Sequence, residues 1–402
     1  MHIGYFTHSP VSISETFIHD LIYALDARAS KLTFFSGAAS TRDLPGITTL
    51  PTGYHEIPEA KSYRLYKVGQ VFGRRGDLLR FNYAQTAAQR ILRTHIDAVS
   101  QLDVAFLDYG TSAALLAPFL RSMGIPYVLQ VHAFDVTCAF ASERYKSAFL
   151  EASAHSQGII VVSEHMRRLL VLAGVDPRLI HTVRLGISPD AITPMPWDQR
   201  RQQPPTVIHL GRLTEKKHPI ALVHAFALVH RAIPNARLEI IGDGPLRAEV
   251  EHRIRSLGIA DAVTLHGALG REHSFPIMNR GQVFAQHSVT SISGDQEGFP
   301  VSPAEAAMFE LPVVTTAHSG LTENIVDGET GFLVQEHNYE AMAERIIHLL
   351  QHPEVAEQMG KAGRRRILAM CRPEERADRI FALLDAAAQT RRSGAPLALT
   401  TV

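Results

Sequence analysis

Two carboxylates, Glu297 and Glu305, stand close together in a stretch whose residue types could bind a ligand. Seven residues separate them, and Gly-Phe-Pro directly follows the first. Proline fits the first turn of a helix, where no backbone N–H is needed, so Pro300 and Pro303 predict a helix that starts near Ser302. We therefore expect Glu297 in the loop before this helix and Glu305 in its first turn.

This arrangement would create an anion site with carboxylates at its edges, because the unpaired N–H groups of the helix start would point between them. Carboxylates suit sugar hydroxyls, which donate hydrogen bonds, and bare N–H groups suit phosphate oxygens. A ligand that carries both a diphosphate and sugars would satisfy all of these groups, which favours an activated sugar nucleotide. The spacing is also compatible with a solvated helix start, where the macrodipole favours acidic residues.

Two cations follow a predicted strand in TVIHLGRLTEKKHPI. Arg212 and Lys217 are expected at the carboxyl end of this strand, beside the start of the next helix. Cations are poorly placed at a helix amino terminus unless an anion lies between them and the helix. This electrostatic argument predicts a diphosphate site, and the neighbouring Lys216 is interpreted as solvated.

A histidine and an aspartate, His132 and Asp135, come just past an apolar strand that is predicted to end at Val131. Ligands of parallel α/β sheets bind at the carboxyl ends of the strands. We interpret His132 as a functional residue on this ground. The alternative is a structural histidine, which is the more common kind at a strand end.

The elements that must position these residues alternate regularly from Asp103 onwards. DVAFLD, IPYVLQV and GIIVVS read as strands, and TSAALLAPFLRSMG, ERYKSAFLEASA and EHMRRLLVLAG read as helices. This alternation predicts a parallel sheet with helices on both faces. The chain opens with the same strand, loop and helix unit, with Ser14 as a helix N-cap, but the loop lacks glycine and forms no dinucleotide fingerprint.

Length and composition bound the class of protein. At 402 residues the chain exceeds what one hydrophobic core usually organises, so two domains are expected. Forty basic and forty acidic residues cancel, which argues against nucleic acid as a partner. Cys138 and Cys371 form no CxxC pattern, so neither a disulfide framework nor a structural zinc site is expected. The sequence shows no signal segment and no apolar run of eighteen residues, which predicts a cytoplasmic protein.

One segment, residues 61–80, is both basic and rich in apolar side chains. Its cations are Lys61, Arg64, Lys67, Arg74, Arg75 and Arg80, with Asp77 opposing them. Such a helix can lie on an anionic bilayer or hold a lipid-linked acceptor, which would place the protein at the inner face of the membrane. The alternative is an ordinary amphipathic helix with its charges in water.

The motifs around these residues resemble those of the family 4 retaining glycosyltransferases of GT-B fold. The stretch from Ser288 to Gly331 is similar to S-V-T-x-x-x-G-D-x-E-G-x-P, a version typical of colanic acid and amylovoran assembly enzymes. GRLTEKKH resembles G-R-L-x-x-x-K-G, HAFD resembles H-G-x-D, and SETFI resembles the start of the same subgroup. The resemblance spans nearly the whole chain and is densest from 206 to 335.

The resemblance implies a role for each of the candidate residues. Glu297 would hold hydroxyls of the donor sugar, and Glu305 would bind the ribose. Arg212 and Lys217 would clamp the phosphates of the nucleotide. His132 would reach the donor sugar near the reacting carbon.

It also implies that backbone groups bind the donor. The N–H groups around Val301 and Ser302 would hold phosphate. The other expected donor contacts are Gly211, Gly267, Gly298, Phe299, Asp135 and Ser14, with Gly267 beside the nucleotide base.

Some positions depart from the family pattern. Ala133 and His218 replace glycines of H-G-x-D and G-R-L-x-x-x-K-G, and Ser188 stands where an aspartate is usual. Glu310 and Ser319 also stand where the family has glycine. We therefore expect a less adaptable loop at Ala133 and two backbone turns made differently at Glu310 and Ser319.

The implied fold is α/β of the GT-B type, with two Rossmann-like domains whose parallel sheets face a central cleft. An acceptor-binding domain would span 1–188 and a nucleotide-sugar domain 206–375. The proline-rich segment 189–205 is interpreted as the linker. A helix over 376–390 would cross back to the first domain, followed by a loose tail, 391–402.

The chemistry implied by the family is sugar transfer with retention of anomeric configuration. Fixed cations and N–H groups would stabilise the departing diphosphate, so no metal and no other cofactor is expected. The acceptor would be a glycan or a lipid-linked glycan of a bacterial surface polysaccharide. A GT-B sugar-nucleotide epimerase or phosphorylase is an alternative, and the departures at Ala133, His218 and Glu310 leave a non-catalytic sugar-nucleotide-binding protein open.

Overall fold

The computed structural model describes residues 1–8, 16–38, 44–55, 74–190 and 192–393. It divides into two compact units. The first comprises Met1–Arg184 together with the carboxyl-terminal stretch from Pro373, and the second comprises Leu185–Arg372. Ser14 and most of the basic segment 61–80 lie outside the described residues, so the predictions made for them keep that status.

The first unit is built on a seven-stranded parallel sheet with the order β3-β2-β1-β4-β5-β6-β7. Its central strands are buried and largely apolar, as is usual when helices cover both faces of a parallel sheet, whereas no residue of the edge strand β3 is buried. They are β1 His2–Thr7, β2 Lys31–Ser36, β3 Thr48–Pro51, β4 Val104–Asp108, β5 Tyr127–Gln130, β6 Ile159–Val161 and β7 Ile180–Thr182. The alternation predicted from Asp103 onwards is confirmed.

Helices of the first unit carry apolar faces onto this sheet. They are α1 Thr16–Asp26, α2 Arg74–Thr94, α3 Ile96–Ser100, α4 Gly110–Ser122, α5 Ala133–Val136, α6 Glu143–Ala154 and α7 Glu164–Leu172. The last helix of the chain, Pro373–Ser393, also belongs here and is numbered α16 below. Its Ile380, Leu383 and Leu384 are buried in the same core as Ile3 and Phe34.

The second unit repeats the plan with six parallel strands in the order β10-β9-β8-β11-β12-β13. The strands are β8 Thr206–Leu210, β9 Arg237–Ile241, β10 Val263–Gly267, β11 Val283–Gln286, β12 Val313–Thr316 and β13 Gly331–Val334. The helices are α8 Trp197–Arg200, α9 Pro219–Ala232, α10 Arg247–Ser256, α11 Arg271–Arg280, α12 Val301–Met308, α13 Leu321–Asn324, α14 Tyr339–Gln351, α15 Pro353–Met370. No helix among the described residues has the length and apolar composition that crossing a bilayer requires.

The predicted linker and the start of the predicted tail are more ordered than their composition indicates. Within the proposed linker 189–205, Trp197 is buried in the core of the second unit, and the buried Arg200 donates to the carbonyls of Gly281 and Phe309. These contacts make the second half of that segment part of the second unit. At the other end, α16 continues to Ser393, three residues into the predicted tail.

Three of the four positions where the family pattern has glycine show a left-handed backbone in this chain. The φ angles are +39° at His218, +60° at Glu310 and +39° at Ser319. The prediction that the turns at Glu310 and Ser319 are made differently from those of the family stays a prediction. In this chain both residues adopt the left-handed region that glycine favours, at some cost in strain. Ala133 has no such strain, since it is the first residue of α5.

Candidate active site

The loop after β8 brings a lysine against a buried glutamate. Lys217 Nζ lies 3.0 Å from Glu297 Oε1 and donates to Gln286 Oε1 at 3.3 Å. Gly211 makes room for this side chain, because a Cβ at that position would lie 2.8 Å from Lys217 Cδ. The role of Gly211 is thus to let the lysine cross the end of the strand.

Glu297 is held from both its backbone and its side chain. Its N–H donates to His318 Nε2 at 3.2 Å, and its carbonyl accepts from Ser319 Oγ at 2.7 Å. Burial would raise the pKa of the Glu297 carboxyl, but the charges of Lys217 and Lys216 and the hydrogen bond from Lys217 lower it overall. The carboxylate is therefore ionised and fixed in place before any ligand binds.

The two cations that were predicted to bind a diphosphate, Arg212 and Lys217, differ in whether a carboxylate of the protein already pairs with them. Arg212 is exposed and forms no ion pair within the described part of the chain. Lys217 already has an anion beside it, the Glu297 carboxylate, so the electrostatic argument for an external anion applies to Arg212 rather than to Lys217. Lys216 was predicted to be solvated, which is wrong: it is 15% exposed and lies 3.0 Å from Asp295 Oδ2.

The helix start predicted near Ser302 is confirmed, since α12 runs over Val301–Met308 with Pro300 as its N-cap. The N–H groups of Val301 and Ser302 have no acceptor within the helix, as in any first turn. Ser302 Oγ donates to Gln286 Oε1 at 3.2 Å, the same oxygen that Lys217 contacts. The helix start, the lysine and the glutamate thus converge around Gln286.

Glu305 was predicted in the first turn of α12, which is wrong. The helix begins one residue earlier than Ser302, so Glu305 is its fifth residue. Its carboxylate is buried and pairs with Arg271, whose Nη2 lies 3.1 Å from Glu305 Oε1. A ribose at Glu305 would therefore meet a carboxylate already oriented by an arginine.

The glycine-rich loops of the second unit pack backbone against backbone. A Cβ at Gly320 would lie 1.7 Å from the carbonyl oxygen of Gly298, so this approach requires glycine. Phe299 is only 5% exposed, which leaves its backbone rather than its ring for a ligand. Gly267 has a φ of +72°, and its carbonyl accepts from the N–H of Gly242 at 2.8 Å.

In the first unit, His132 is bound to a buried aspartate that the sequence did not single out. His132 Nε2 lies 2.8 Å from Asp108 Oδ1 at the end of β4. Asp135 is fully buried, and its carboxylate accepts from the N–H groups of His132 and Thr111, which closes the turn before α5. Burial raises the pKa of Asp135. Its role in the structure is to shape the loop that carries His132.

Sequence reasoning missed several polar residues of these sites. Gln286 and Asp108 could have been found, because each is the last residue of an apolar strand and so lies at the carboxyl edge of its sheet. Arg271 carries no such signal. His209 is buried with Nε2 unpartnered among the described residues, and burial lowers its pKa to about 4, so it is a neutral neighbour of Lys217.

The arrangement in the second unit can hold an anion and hydroxyl groups together. It offers an exposed arginine, a helix start and two buried, ionised or hydrogen-bonded carboxylates at one sheet edge. Nowhere among the described residues do three histidine, cysteine or acidic side chains cluster as metal ligands would.

Two α/β units with parallel sheets, and with candidate binding loops at the carboxyl ends of their strands, are the architecture of the GT-B fold of glycosyltransferases. Solved structures of this fold match the chain. Sucrose-phosphate synthase from Thermosynechococcus elongatus matches with a TM-score of 0.78 at 19% identity, over 96% of this chain and 98% of that one. HepE of Anabaena, solved with UDP and glucose, matches with a TM-score of 0.73 at 15% identity, over 96% and 100%.

The sequence itself matches two family profiles. The profile described as Glycosyltransferase Family 4 matches residues 14–191, and the one described as Glycosyl transferases group 1 matches residues 195–366. This chain belongs to the family 4 glycosyltransferases, as its motifs indicated.

Curated relatives are 25–28% identical to this chain over the aligned residues. The amylovoran biosynthesis glycosyltransferase AmsK of Erwinia amylovora is 28% identical over 62% of this chain and 61% of its own length. WcaL of Salmonella typhimurium, provisionally described as a colanic acid biosynthesis glycosyltransferase, is 26% identical over 66% of each. The match thus spans less than two thirds of these relatives. A GDP-mannose-dependent mannosyltransferase of Mycolicibacterium smegmatis is 25% identical over 77% and 82%.

Proposed function

We propose that this chain transfers a sugar from a nucleotide-sugar donor to a glycan or lipid-linked acceptor in the assembly of a bacterial surface polysaccharide. The observation that carries the proposal is the edge of the second sheet. Arg212 and Lys217 follow β8 there, and Lys217, Glu297 and the start of α12 converge around Gln286, the last residue of β11. These groups match the phosphates and hydroxyls of one ligand. The names of AmsK and WcaL favour a polysaccharide acceptor.

The diphosphate would bind between the helix start and Arg212, where an anion relieves the exposed cation. Lys217 would then be shared between Glu297 and a phosphate oxygen. Glu297, kept ionised by its two lysines, would accept hydrogen bonds from the donor sugar. Glu305, oriented by Arg271, would accept from the ribose.

The proposed reaction retains anomeric configuration and uses no metal. Negative charge grows on the departing diphosphate, and fixed cations and N–H groups stabilise it without reorganising. A donor phosphate oxygen takes the acceptor's proton as the acceptor attacks from the same face, so no protein general base is needed. His132 would stabilise the sugar near the reacting carbon.

We infer that the reaction takes place in the cytoplasm, with peripheral contact to the inner face of the membrane through residues 61–80. The departures at these positions do not favour a non-catalytic binder, because His218 and Glu310 adopt the left-handed backbone that glycine favours and Ala133 is unstrained in a helix.

The proposal is tested by incubating the protein with UDP-, GDP-, ADP- and CMP-sugars and measuring nucleotide release. We expect slow release from one donor, unchanged by EDTA, and a fall of at least ~100-fold in Glu297→Ala, since a lost charge-stabilising contact costs about that much. The exposed Glu329→Ala is the matched control and should act like the parent protein.

Binding without release in the parent protein would indicate a non-catalytic binder instead. Loss of release in EDTA would contradict metal independence. With an acceptor in hand, the anomeric configuration of the product, read by NMR, decides whether the transfer retains or inverts.

A further inference from the structure

His132 lies at the end of a chain of buried polar side chains that begins on the carboxyl-terminal helix α16. We propose that Arg376, Gln130 and Asp108 position His132 and limit its charge, and so set the pH range in which sugar transfer proceeds. The part of this inference that concerns rate rests on the proposed function, whereas the part that concerns the ionisation of His132 does not.

Asp108 holds the imidazole in one orientation. Its Oδ1 accepts from His132 Nε2 at 2.8 Å and from Gln130 Nε2 at 2.9 Å, and its Oδ2 accepts from the hydroxyl of Tyr5 at 2.6 Å. An ionised carboxylate only accepts hydrogen bonds, so His132 must carry a proton on Nε2. Burial would raise the pKa of Asp108, but its interaction with His132 and the hydrogen bonds that it accepts from Tyr5 and Gln130 lower it overall.

Strand register makes this arrangement rigid. Asp108 and Gln130 are paired across β4 and β5, so their side chains leave the sheet on the same face. The Nε2 atoms of Gln130 and His132 are 3.4 Å apart. Both are donors that converge on Asp108 Oδ1, so this contact is a consequence of the shared acceptor rather than a hydrogen bond.

Arg376 supplies the positive charge behind this carboxylate. It is 5% exposed, and its Nη2 donates to Gln130 Oε1 at 3.1 Å while its Nη1 donates to the carbonyl of Phe17 at 3.2 Å. Among the described residues it contacts no carboxylate directly. As the fourth residue of α16 it also lies near a helix amino terminus, where a cation is unfavourable. A buried cation in such a place needs a counter-charge, and Asp108 provides it through Gln130.

The two charges act on His132 in opposite directions. Asp108 favours the imidazolium form, and Arg376 opposes it. An imidazolium beside the reacting sugar would repel the positive charge that develops on the anomeric carbon, whereas a neutral, oriented imidazole would not. Asp108 therefore fixes the orientation of the ring, and Arg376 keeps the carboxylate from charging it.

The other ionisable groups around this ring come from several elements. Tyr5 of β1 and Asp135 of α5 are buried, Tyr109 packs on the ring with centroids 4.1 Å apart, and His8 packs on Tyr109 at 4.0 Å. Asp20 of α1 acts on Arg376 electrostatically. These groups stay unchanged in the variants below, so the shifts report the Arg376 and Asp108 charges.

The test is an NMR titration of the full chain labelled at histidine, with the His132 signal assigned by its absence in His132→Gln. We expect Asp108→Asn to move the titration of His132 to lower pH by about 1 unit, and Arg376→Met to move it to higher pH by about 1 unit. Arg376→Lys, which keeps the charge, should restore most of the parent value. Asp378→Asn, an exposed change on the same helix, should leave it unmoved.

Rates provide the second readout. Arg376→Met should shift the acid limb of the pH–rate profile upward with the His132 titration, so that activity recovers at higher pH. Asp108→Asn should lower kcat by about 100-fold at every pH with little change in donor KM, because the ring loses its orientation. If the protein turns over no donor at all, the proposed function is contradicted. The NMR titration still tests whether Asp108 and Arg376 control the ionisation of His132.

Shifts of the same sign in Asp108→Asn and Arg376→Met, or no shift in folded protein, would overturn the proposal. Should Arg376→Met not fold, Gln130→Met breaks the same connection without deleting a charge. Gln130→Met is expected to lower kcat. An unchanged kcat in that variant would contradict the proposed connection from Arg376 through Gln130 and Asp108 to His132.

Discussion

At the scale of single residues, the decisive feature of the second unit is the buried ion pair of Lys217 and Glu297. Lys217 and Glu297 side chains are 13% and 7% exposed, so each neutralises the other in a region of low dielectric. Breaking such a pair by removing one partner leaves an uncompensated buried charge, which is far more costly than losing a surface pair. The pair therefore contributes to stability, and under the proposed function it also preorganises the donor site.

Lys217→Met should lower the free energy of unfolding at pH 7 by about 3 kcal/mol, because it leaves Glu297 buried without its main cation. In the parent protein the folded pKa of Glu297 is depressed, so its contribution is present above the unfolded pKa and is lost as the pH falls through the folded pKa. In Lys217→Met the folded pKa should rise instead, and the deficit should shrink as the pH is lowered from 7 to 4. Urea denaturation across this range measures both effects.

Lys216→Met serves as the control for this prediction. Its partner Asp295 is less buried than Glu297, and Lys216 acts on Glu297 less than Lys217 does, so both the loss at pH 7 and its change with pH should be smaller than in Lys217→Met. A deficit in Lys217→Met that stays constant from pH 7 to 4 would contradict the assignment of the charge to Glu297.

At the scale of elements, the end of α12 has a non-glycine residue in a turn that glycine normally completes. Glu310 is left-handed, its N–H donates to Ala307 O at 2.9 Å, and the N–H of Leu311 donates to Ala306 O at 3.0 Å. This is the Schellman pattern, which glycine normally completes. The carbonyl of Glu310 packs on α15, where a Cβ at Gly360 would lie 1.9 Å away, so the turn cannot relax.

Glu310→Gly should raise the free energy of unfolding by about 1 kcal/mol, because glycine adopts the left-handed region without strain. Glu310→Ala is the matched control, since it removes the same charge but keeps the Cβ, and it should give no such gain. Chemical denaturation of the two variants side by side makes the comparison. Equal stability of the glycine and alanine variants would mean that the turn is not strained.

At the scale of the whole molecule, the first unit is assembled from both ends of the chain. Helix α16 buries Ile380, Leu383 and Leu384 in the core formed by the amino-terminal strands, and Arg28 of the first unit pairs with Asp378 at 2.7 Å. The first unit therefore cannot complete its core until the whole second unit has been synthesised.

Leu384→Ala should destabilise the first unit by about 2–5 kcal/mol, as expected for a fully buried leucine, although it lies near the end of the chain. Leu349→Ala should act in the same way on the second unit, where Leu349 is buried in the other core. Native-state hydrogen exchange read by mass spectrometry resolves the two units. Equal loss of protection in both units from Leu384→Ala would contradict the division of the cores.

The sequence by itself determined the alternation of strands and helices, the helix start at Val301, and the family. These features depend on local signals, namely apolar periodicity, prolines in a first turn and short motifs, which the chain carries within a few residues. It also placed Arg212, Lys217 and His132 just after strands and Glu297 in the loop before a helix, and the structure has them there.

Only the tertiary structure decided which of these residues hold one another. Lys217 meets Glu297 across 80 residues, His132 meets Asp108 across 24, and Arg376 reaches Gln130 across 246. Such pairings follow from strand order and burial. Strand order brings side chains that are distant in sequence together, and in the low dielectric of the interior an unpaired charge is costly. The fold thereby fixes the orientation of Glu297 and His132 and keeps the carboxylates of Glu297 and Asp108 ionised.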